Sequence, residues 1–434
     1  MPDHGAGISR RGFIVTGALG MAGLSLAGLT GCGRGGGQST GSQSVSFGTF
    51  VGAANTAAYN TFLEQFTDST GIDVDLTDVT GDYVTKMRTQ LIGGRAPDVF
   101  LADDSIMGQA IESGLATNFS SWWRDNTSTI PLDRFYPALS AFCQDGSGDF
   151  YGVPQDSNPV SFWFNQDLLD QAGVDTNPAQ LQESGDWTME SATEILTKLK
   201  STQKTPMAIE TQWWYWTSWV TALGGQAFDE SGRCVWDTDP DALAALSWLF
   251  DQLANGNLIY AGTLPEGQAV DALFYSGQLA TCQYGRWIAS NLQQVQSFSY
   301  DIAPFPSKSG GDFAPVGILV GAICVNAESP NIEAASELVA DFCGVRGQKY
   351  RVEQGVVVPT IDDESLVAAV AEAEVPAHGH WYTDIAANAY HPLYLSRNPE
   401  GSAALPDTID KLIRDKTDYK TFAEQTAAVI NGDA

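Results

Sequence analysis

Val45-Ser46-Phe47-Gly48-Thr49-Phe50, Ile72-Asp73-Val74-Asp75-Leu76 and Val99-Phe100-Leu101-Ala102 are three short strand-like runs, and the stretches between them carry apolar residues at helical spacing. In the first stretch Tyr59, Phe62 and Phe66 recur a turn apart until Gly71. In the second, Tyr83, Met87 and Leu91 form one stripe between Asp82, a residue suited to cap a helix start, and Gly93-Gly94. The order βαβαβ predicts a parallel sheet covered by helices, and such sheets take ligands beyond the carboxyl ends of their strands. The loops that matter are then residues 51–56 and Asp103-Asp104-Ser105.

Outward from this unit the helical signals continue. Asp239 and Pro240 open a helix with Leu243, Leu246, Leu249, Phe250 and Leu253 on one side, closed at Gly256; Ile409, Leu412 and Ile413, then Phe422, Val429 and Ile430, mark two more. The chain of 434 residues is longer than one hydrophobic core usually serves, so two mixed α/β lobes are expected. A net charge of −30 without basic clusters argues against nucleic acid or anionic lipid headgroups as partners. Beyond Cys32, the cysteines Cys143, Cys234, Cys282, Cys324 and Cys343 are odd in number and show no metal-type spacing. Apolar neighbours such as Ala322-Ile323-Cys324-Val325 point to buried free thiols. His378, His380 and His391 are too loosely placed for a metal centre, and no metal or cofactor is expected.

The twelve tryptophans carry the strongest hint of a site, above all Gln212-Trp213-Trp214-Tyr215-Trp216 with Trp219 one helical turn further. On a strand or irregular segment, neighbours point to opposite sides, so at least one large ring faces solvent or a cavity. An indole face suits the apolar face of a sugar, and its N–H needs a polar partner that a hydroxylated ligand supplies. Packing between lobes is the alternative for each ring. Asp103, Asp104, Asp156 and Glu210 are candidate acceptors for sugar hydroxyls, or else caps and loop anchors. A glycosidase would need two carboxylates facing each other about 5 to 9.5 Å apart, and no Gly-x-Ser-x-Gly elbow, P-loop or His-Glu-x-x-His helix is present.

At the amino end, Ser9-Arg10-Arg11-Gly12-Phe13-Ile14 precedes an uncharged run ending in Leu29-Thr30-Gly31-Cys32. The paired arginines resemble a bacterial twin-arginine export signal and the ending resembles a lipobox, which implies that residues 1–31 are removed and Cys32 is lipidated. A transmembrane helix over residues 12–31 is the alternative, weakened by the glycines in the run. Residues 32–44, rich in Gly, Ser and Gln, read as a flexible tether.

A further set of segments, in order, is Ala96-Pro97-Asp98-Val99-Phe100, Glu112-Ser113-Gly114-Leu115, Tyr151-Gly152-Val153-Pro154 with Pro159-Val160, and Asn165-Gln166-Asp167-Leu168-Leu169. After them come Gly224-Gly225, the stretch Ala272-Leu273-Phe274-Tyr275-Ser276-Gly277-Gln278-Leu279-Ala280, Gly285-Arg286-Trp287, and Ala303-Pro304-Phe305-Pro306. Their order and spacing resemble the extracellular solute-binding proteins of ABC importers, in the sugar-binding branch that includes maltose-binding protein. The resemblance implies a periplasmic-binding-protein-like fold, two α/β lobes joined by a hinge with a ligand cleft between them. Lobe 1 is expected to be residues 45–156 plus 304–343 and lobe 2 residues 157–303 plus 344–434, with crossings near 155–158, near 303–304 and near Cys343. By position in the family pattern, Asp103 and Asp104 come from the first lobe, Gln155 and Asp156 from the hinge, and Trp214 and Trp216 from the second, with Trp213 of the same run a candidate beside them. Trp287 resembles the family's stacking tryptophan, Gly317 lies where the chain returns to the first lobe, and Trp381 is a further candidate. Arg286 pairs with a ligand carboxylate or neutralises local aspartates.

The implied function is non-enzymatic: capture of a carbohydrate, an oligosaccharide on the strength of the tryptophans, and its delivery to ABC permease subunits. A lipid on Cys32 would hold a monomer at the outer face of the cytoplasmic membrane. The rivals are a surface-anchored lyase or glycosidase, and a binder of a cationic solute.

Overall fold

The computed structural model describes residues 43–433, apart from 51, 53–54, 266–267, 296, 373–375 and 397. The expected leader, Cys32 and most of the tether lie outside the described residues. Among the described residues no helix is long and apolar enough to cross a membrane.

The βαβαβ reading holds to within a few residues. β1 (Gln43–Thr49) leads into α1 (Thr56–Thr70), whose buried side is Tyr59, Phe62, Leu63 and Phe66. α1 stops because Gly71 turns left-handed at φ 76°, its N–H donating to Thr67 O. β2 (Ile72–Asp78) follows, then α2 (Tyr83–Ile92), where the Asp82 carboxylate accepts from the Thr85 N–H at 3.1 Å. β3 (Val99–Ala102) completes the unit, and β1 runs parallel to both β2 and β3.

The remaining strands are β4 (Val153–Pro159), β5 (Ser161–Asn165), β6 (Thr205–Ile209), β7 (Leu258–Tyr260), β8 (Leu279–Tyr284), β9 (Tyr300–Ala303) and β10 (Ile318–Val325). They form two sheets, in the orders β2-β1-β3-β10-β4 and β7-β6-β8-β5-β9. β10 runs antiparallel to β3 and β4, and β5 antiparallel to β8 and β9. Each sheet has its own core. The first buries Phe47, Phe62, Phe66, Phe100 and Phe342, and the second buries Trp163, Trp187, Trp216, Trp219 and Trp236. The helices Pro240–Asn255, Pro399–Arg414 and Tyr419–Asn431, all expected, pack on the second core through Leu246, Ile409 and Phe422.

The chain changes lobes later than expected at each crossing. β4 stays in the first sheet through Pro159, and only Val160 separates it from β5 in the second. Residues 304–316 remain with lobe 2, because Phe305, Ala314 and Val316 bury in its core and Trp187 Nε1 donates to Pro304 O at 2.8 Å. The return falls at Gly317–Ile318. Cys343 is no crossing, since it ends the helix Ile332–Cys343 and, one residue on, Val345–Glu353 packs back on lobe 1, with Tyr350 5.7 Å from the Phe62 ring. Ile361 and Leu366 also belong to the lobe 1 core, and lobe 2 resumes by Trp381 and Tyr382. Cys143, Cys234, Cys282, Cys324 and Cys343 are buried free thiols.

Candidate functional site

A cavity of about 890 Å³ lies between the lobes. Lobe 1 supplies the ends of β1 and β3, through Phe50, Gly52, Asn55, Asp103 and Asp104, so both loops singled out by the strand order reach it. The hinge strand β4 adds Gln155, Asp156 and Asn158, and β10 adds Leu319 and Gly321. Lobe 2 adds Gln212, Trp214, Asp271, Tyr275, Trp287 and Asn291. None of the described lining residues is basic.

Two aromatic faces stand open here. Phe50 on lobe 1 is 55% exposed and Trp287 on lobe 2 is 38% exposed. The Trp287 ring meets Tyr284 edge-on at 5.9 Å and folds back over Gly285. A Cβ on Gly285 would stand 2.1 Å from Trp287 Cζ3 and 2.9 Å from Asn158 Cβ, which is why glycine occupies the first place of Gly285-Arg286-Trp287. Trp214 stacks on Tyr215 at 5.7 Å and 28°, and its indole N–H is buried with no acceptor in the protein.

The carboxylates are held by protein donors while lining the cavity. Asp103 Oδ1 accepts from the Ser105 N–H at 3.0 Å, and burial with the neighbouring Asp104 charge pushes its carboxyl from the ordinary 3.8 up to about 6. Asp104 Oδ2 accepts from Trp213 Nε1 at 3.2 Å, a bond that crosses between lobes, and its Oδ1 is 3.8 Å from His391 Nε2. Asp156 Oδ1 accepts from the Gly321 N–H at 2.8 Å; burial raises this carboxyl and the Gly321 bond opposes the rise. Burial also pushes the Tyr59 hydroxyl up to about 12.

Asp103, Asp104, Gln155, Asp156, Trp214 and Trp287 therefore meet in one cavity, and five other candidates stand elsewhere. The tryptophan run is a helix, Trp213–Ala222, not a strand, so its rings spread around an axis and Trp214 alone among Trp213, Trp214 and Trp216 lines the cleft. Trp216 is wholly buried against Phe422 at 4.6 Å, its N–H donating to Glu210 O. Trp213 lies behind Trp214 as a tie to Asp104. Gly317 serves packing: its N–H donates to Ser218 Oγ at 2.9 Å, and a Cβ there would stand 2.8 Å from the Trp213 ring. Arg286 neither faces the cleft nor pairs with an aspartate; it is buried and donates to Gly355 O. Trp381 is buried, its ring tilted by 30° against that of His378 at 4.3 Å. Glu210 is capped by the hydroxyls of Tyr215 and Tyr284 and borders a neighbouring hollow of about 350 Å³ that shares Gln212 with the cleft.

Sequence reasoning missed Phe50 as a site residue, along with Asn158, Asp271, Tyr275 and Asn291. Only Phe50 carried a signal, as a large apolar residue at the end of β1. A larger hollow of about 1390 Å³, bordered by residues 224–232, Tyr390, Pro392 and Asn431, lies outside the cleft. It gathers no residue from the carboxyl ends of the strands, so the cleft is the candidate site. Among the described residues no group of three His, Cys, Asp or Glu side chains is placed to hold a metal.

Residues 52–342 match the bacterial extracellular solute-binding protein family. Among curated proteins, the arabinooligosaccharide-binding protein of Halalkalibacterium halodurans is 24% identical over 226 residues, 48% of this chain and 46% of that protein. The match thus spans about half of each chain. Among solved structures, an ABC substrate-binding protein of Listeria monocytogenes in complex with cycloalternan superposes with TM-score 0.78 at 19% identity, covering 90% of this chain and 98% of the other. UgpB of Mycobacterium tuberculosis in complex with glycerophosphocholine gives TM-score 0.74 at 18% identity, covering 91% and 99%. At these identities the superpositions establish the two-lobed fold.

Proposed function

Because the chain belongs to the bacterial extracellular solute-binding protein family, we propose that its cleft captures an oligosaccharide and presents it to the permease of an ABC importer, with Cys32 as the lipid anchor. The observation that carries the reading is the cleft lining: an open aromatic face from each lobe, carboxylates and amides between them, and no basic residue among the described lining residues. Aromatic faces stack on the apolar side of sugar rings, and carboxylates accept from hydroxyls. A ligand such as the glycerophosphocholine bound by the Mycobacterium tuberculosis protein would meet no cation among the described lining residues. The curated relative's name, an arabinooligosaccharide binder, supports the same ligand class.

The mechanism is capture without chemistry. The lobes are joined at Val160, at Gly317–Ile318 and again between residues 366 and 381; the first two are short crossings about which they swing. A ligand touching Phe50 and Trp287 together gains both contacts only when the lobes approach, so its binding energy favours the closed form.

The test is a thermal-shift screen of residues 45–434 against maltotetraose, arabino-oligosaccharides, uronic acids, amino acids and polyamines. A ligand at about 100 times its dissociation constant adds roughly 2.7 kcal/mol of stability. A shift with a neutral oligosaccharide recovered unchanged is expected. Sugar converted to product would establish the enzyme instead, and a shift with polyamines alone would favour the cationic reading that the five lining carboxylates allow.

Gly321 offers a second check. A Cβ there would stand 2.8 Å from Asp156 Oδ1, 3.1 Å from Gln155 Nε2 and 3.1 Å from Leu101 Cδ1. Gly321→Ala is expected to displace the Asp156 carboxylate and weaken sugar binding by about tenfold, the value of one good polar contact. Unchanged affinity by calorimetry would remove Asp156 from the binding set.

A further inference from the structure

Gln155 and Asp156 are adjacent on β4, yet both line the cleft, as does Asn158. On a regular strand adjacent side chains face opposite sides. The ladder to β10 resolves this: Gly321 pairs with Asp156 and Ala322 with Pro154, so Gln155 is an extra residue opposite no partner, a β-bulge. The bulge takes the Gln155 carbonyl out of the ladder, and Arg351 Nη1 supplies the missing donor at 3.0 Å.

The same Nη1 donates to the Gln155 side-chain oxygen Oε1 at 2.8 Å, and the Tyr59 hydroxyl donates to that oxygen at 3.1 Å. Arg351 is itself held from several sides. It is fully buried, bonded to Gly347 O at 3.2 Å and Phe342 O at 2.8 Å, and its guanidinium sits 4.0 Å from the centre of the Phe342 ring. Two donors on Oε1 fix which end of the amide points inward, since a flipped amide would set N–H groups against N–H and O–H donors. Nε2 is left on the side of Gly321 and the cleft.

We propose that Arg351 and Tyr59 are positioning residues that hold the Gln155 amide with its N–H donors facing the cleft, so that the site demands an acceptor oxygen from the ligand at this point. This rests on the sugar reading of the cleft and sharpens it. Asp103, Asp104 and Asp156 are acceptors when ionised, and Gln155 sets a donor beside Asp156. A hydroxyl group that accepts from Gln155 and donates to Asp156 satisfies both, which selects a sugar hydroxyl over an ammonium group, a donor only.

The experiment uses residues 45–434 with arabinotriose and maltotetraose as probes, read by titration calorimetry. Gln155→Glu keeps the shape and replaces the donor with an acceptor; at least a tenfold loss of affinity is expected, and unchanged affinity overturns the proposal. Arg351 does not line the cavity, so Arg351→Lys acts on affinity through Gln155. A several-fold loss is expected in the parent and none in a Gln155→Ala background, a non-additivity that a general structural role would not produce. Equal losses in both backgrounds overturn the positioning role. Should Arg351→Lys fail to fold, Tyr59→Phe is put through the same cycle. In the ligand-free protein, NMR signals of the Gln155 side-chain N–H₂, assigned by their loss in Gln155→Glu, are expected to exchange freely with water. Protected signals would overturn the orientation. If neither probe binds the parent protein, the sugar reading falls, and this exchange measurement still decides the orientation.

Discussion

Trp287→Ala is expected to weaken sugar binding by about 30-fold to several hundred-fold while leaving unfolding stability within about 1 kcal/mol, and Trp216→Ala to do the reverse. Both are tryptophans of lobe 2, and both were candidates from sequence. Their surroundings separate them. The Trp287 ring is 38% exposed; it meets Tyr284 in a T-shaped pair and lies against Gly285, and the exposed remainder of the ring is available to a ligand. Covering such a face is worth about 2 to 4 kcal/mol when the ring is a binding anchor, which gives the affinity range through about 1.4 kcal/mol per tenfold. Trp216 has no exposed surface, packs on Phe422 at 4.6 Å and Phe250 at 6.5 Å, and donates to Glu210 O at 2.9 Å. Truncating it leaves a large cavity and an unpartnered carbonyl, a cost of about 3 to 5 kcal/mol. Affinity in its folded fraction should change by less than about twofold. Denaturant melts and calorimetry on the two variants check this, and similar losses of stability in both would make Trp287 a packing residue.

The same pair shows how far the sequence could be read. The βαβαβ unit was legible because its signals are local: the Asp82 cap, the Gly71 stop and the Tyr59–Phe62–Phe66 stripe all act within a few residues. The loops after β1 and β3 follow from topology, which is why the strand order alone points to the segment of Asp103 and Asp104 that lines the cavity. Adjacent tryptophans gave no such guide, because which ring faces out depends on whether the segment coils at 3.6 or alternates at 2 residues per repeat, and Trp213–Ala222 coils. Arg286 was misread because its partner, Gly355 O, lies 69 residues away and is a backbone atom, invisible to any reading of charge. The crossings were placed early for a related reason. A hinge is set by which core a side chain joins, and Phe305 and Val316 look alike from either side until the lobe 2 core is seen to enclose them.

Asp103→Asn should raise the stability of the ligand-free protein at neutral pH by up to about 3 kcal/mol and at the same time weaken sugar binding. Burial and the adjacent Asp104 lift the Asp103 carboxyl from 3.8 to about 6 in the folded protein. The folded state then holds a proton that the unfolded chain has released throughout the interval between those values, so stability falls as pH rises through it and the whole penalty stands above pH 6. About two pH units at 1.36 kcal/mol each set the size. Asparagine carries no charge to desolvate, and its Oδ1 still accepts from the Ser105 N–H where Asp103 now does, at 3.0 Å. The gain of the variant over the parent should therefore be large at pH 7.5 and vanish toward pH 4, as measured by paired melts so that other carboxylates cancel. Binding moves the other way, because an ionised acceptor holds a sugar hydroxyl more strongly than a neutral one. The parent's affinity should also drop between pH 7 and pH 5 as Asp103 takes up its proton, and that dependence should flatten in Asp103→Asn. A variant less stable than the parent at pH 7.5 would mean that Asp103 is a structural anchor. The expected pattern would instead identify a carboxylate kept at the mouth of β3 at a cost in stability, for the sake of the ligand.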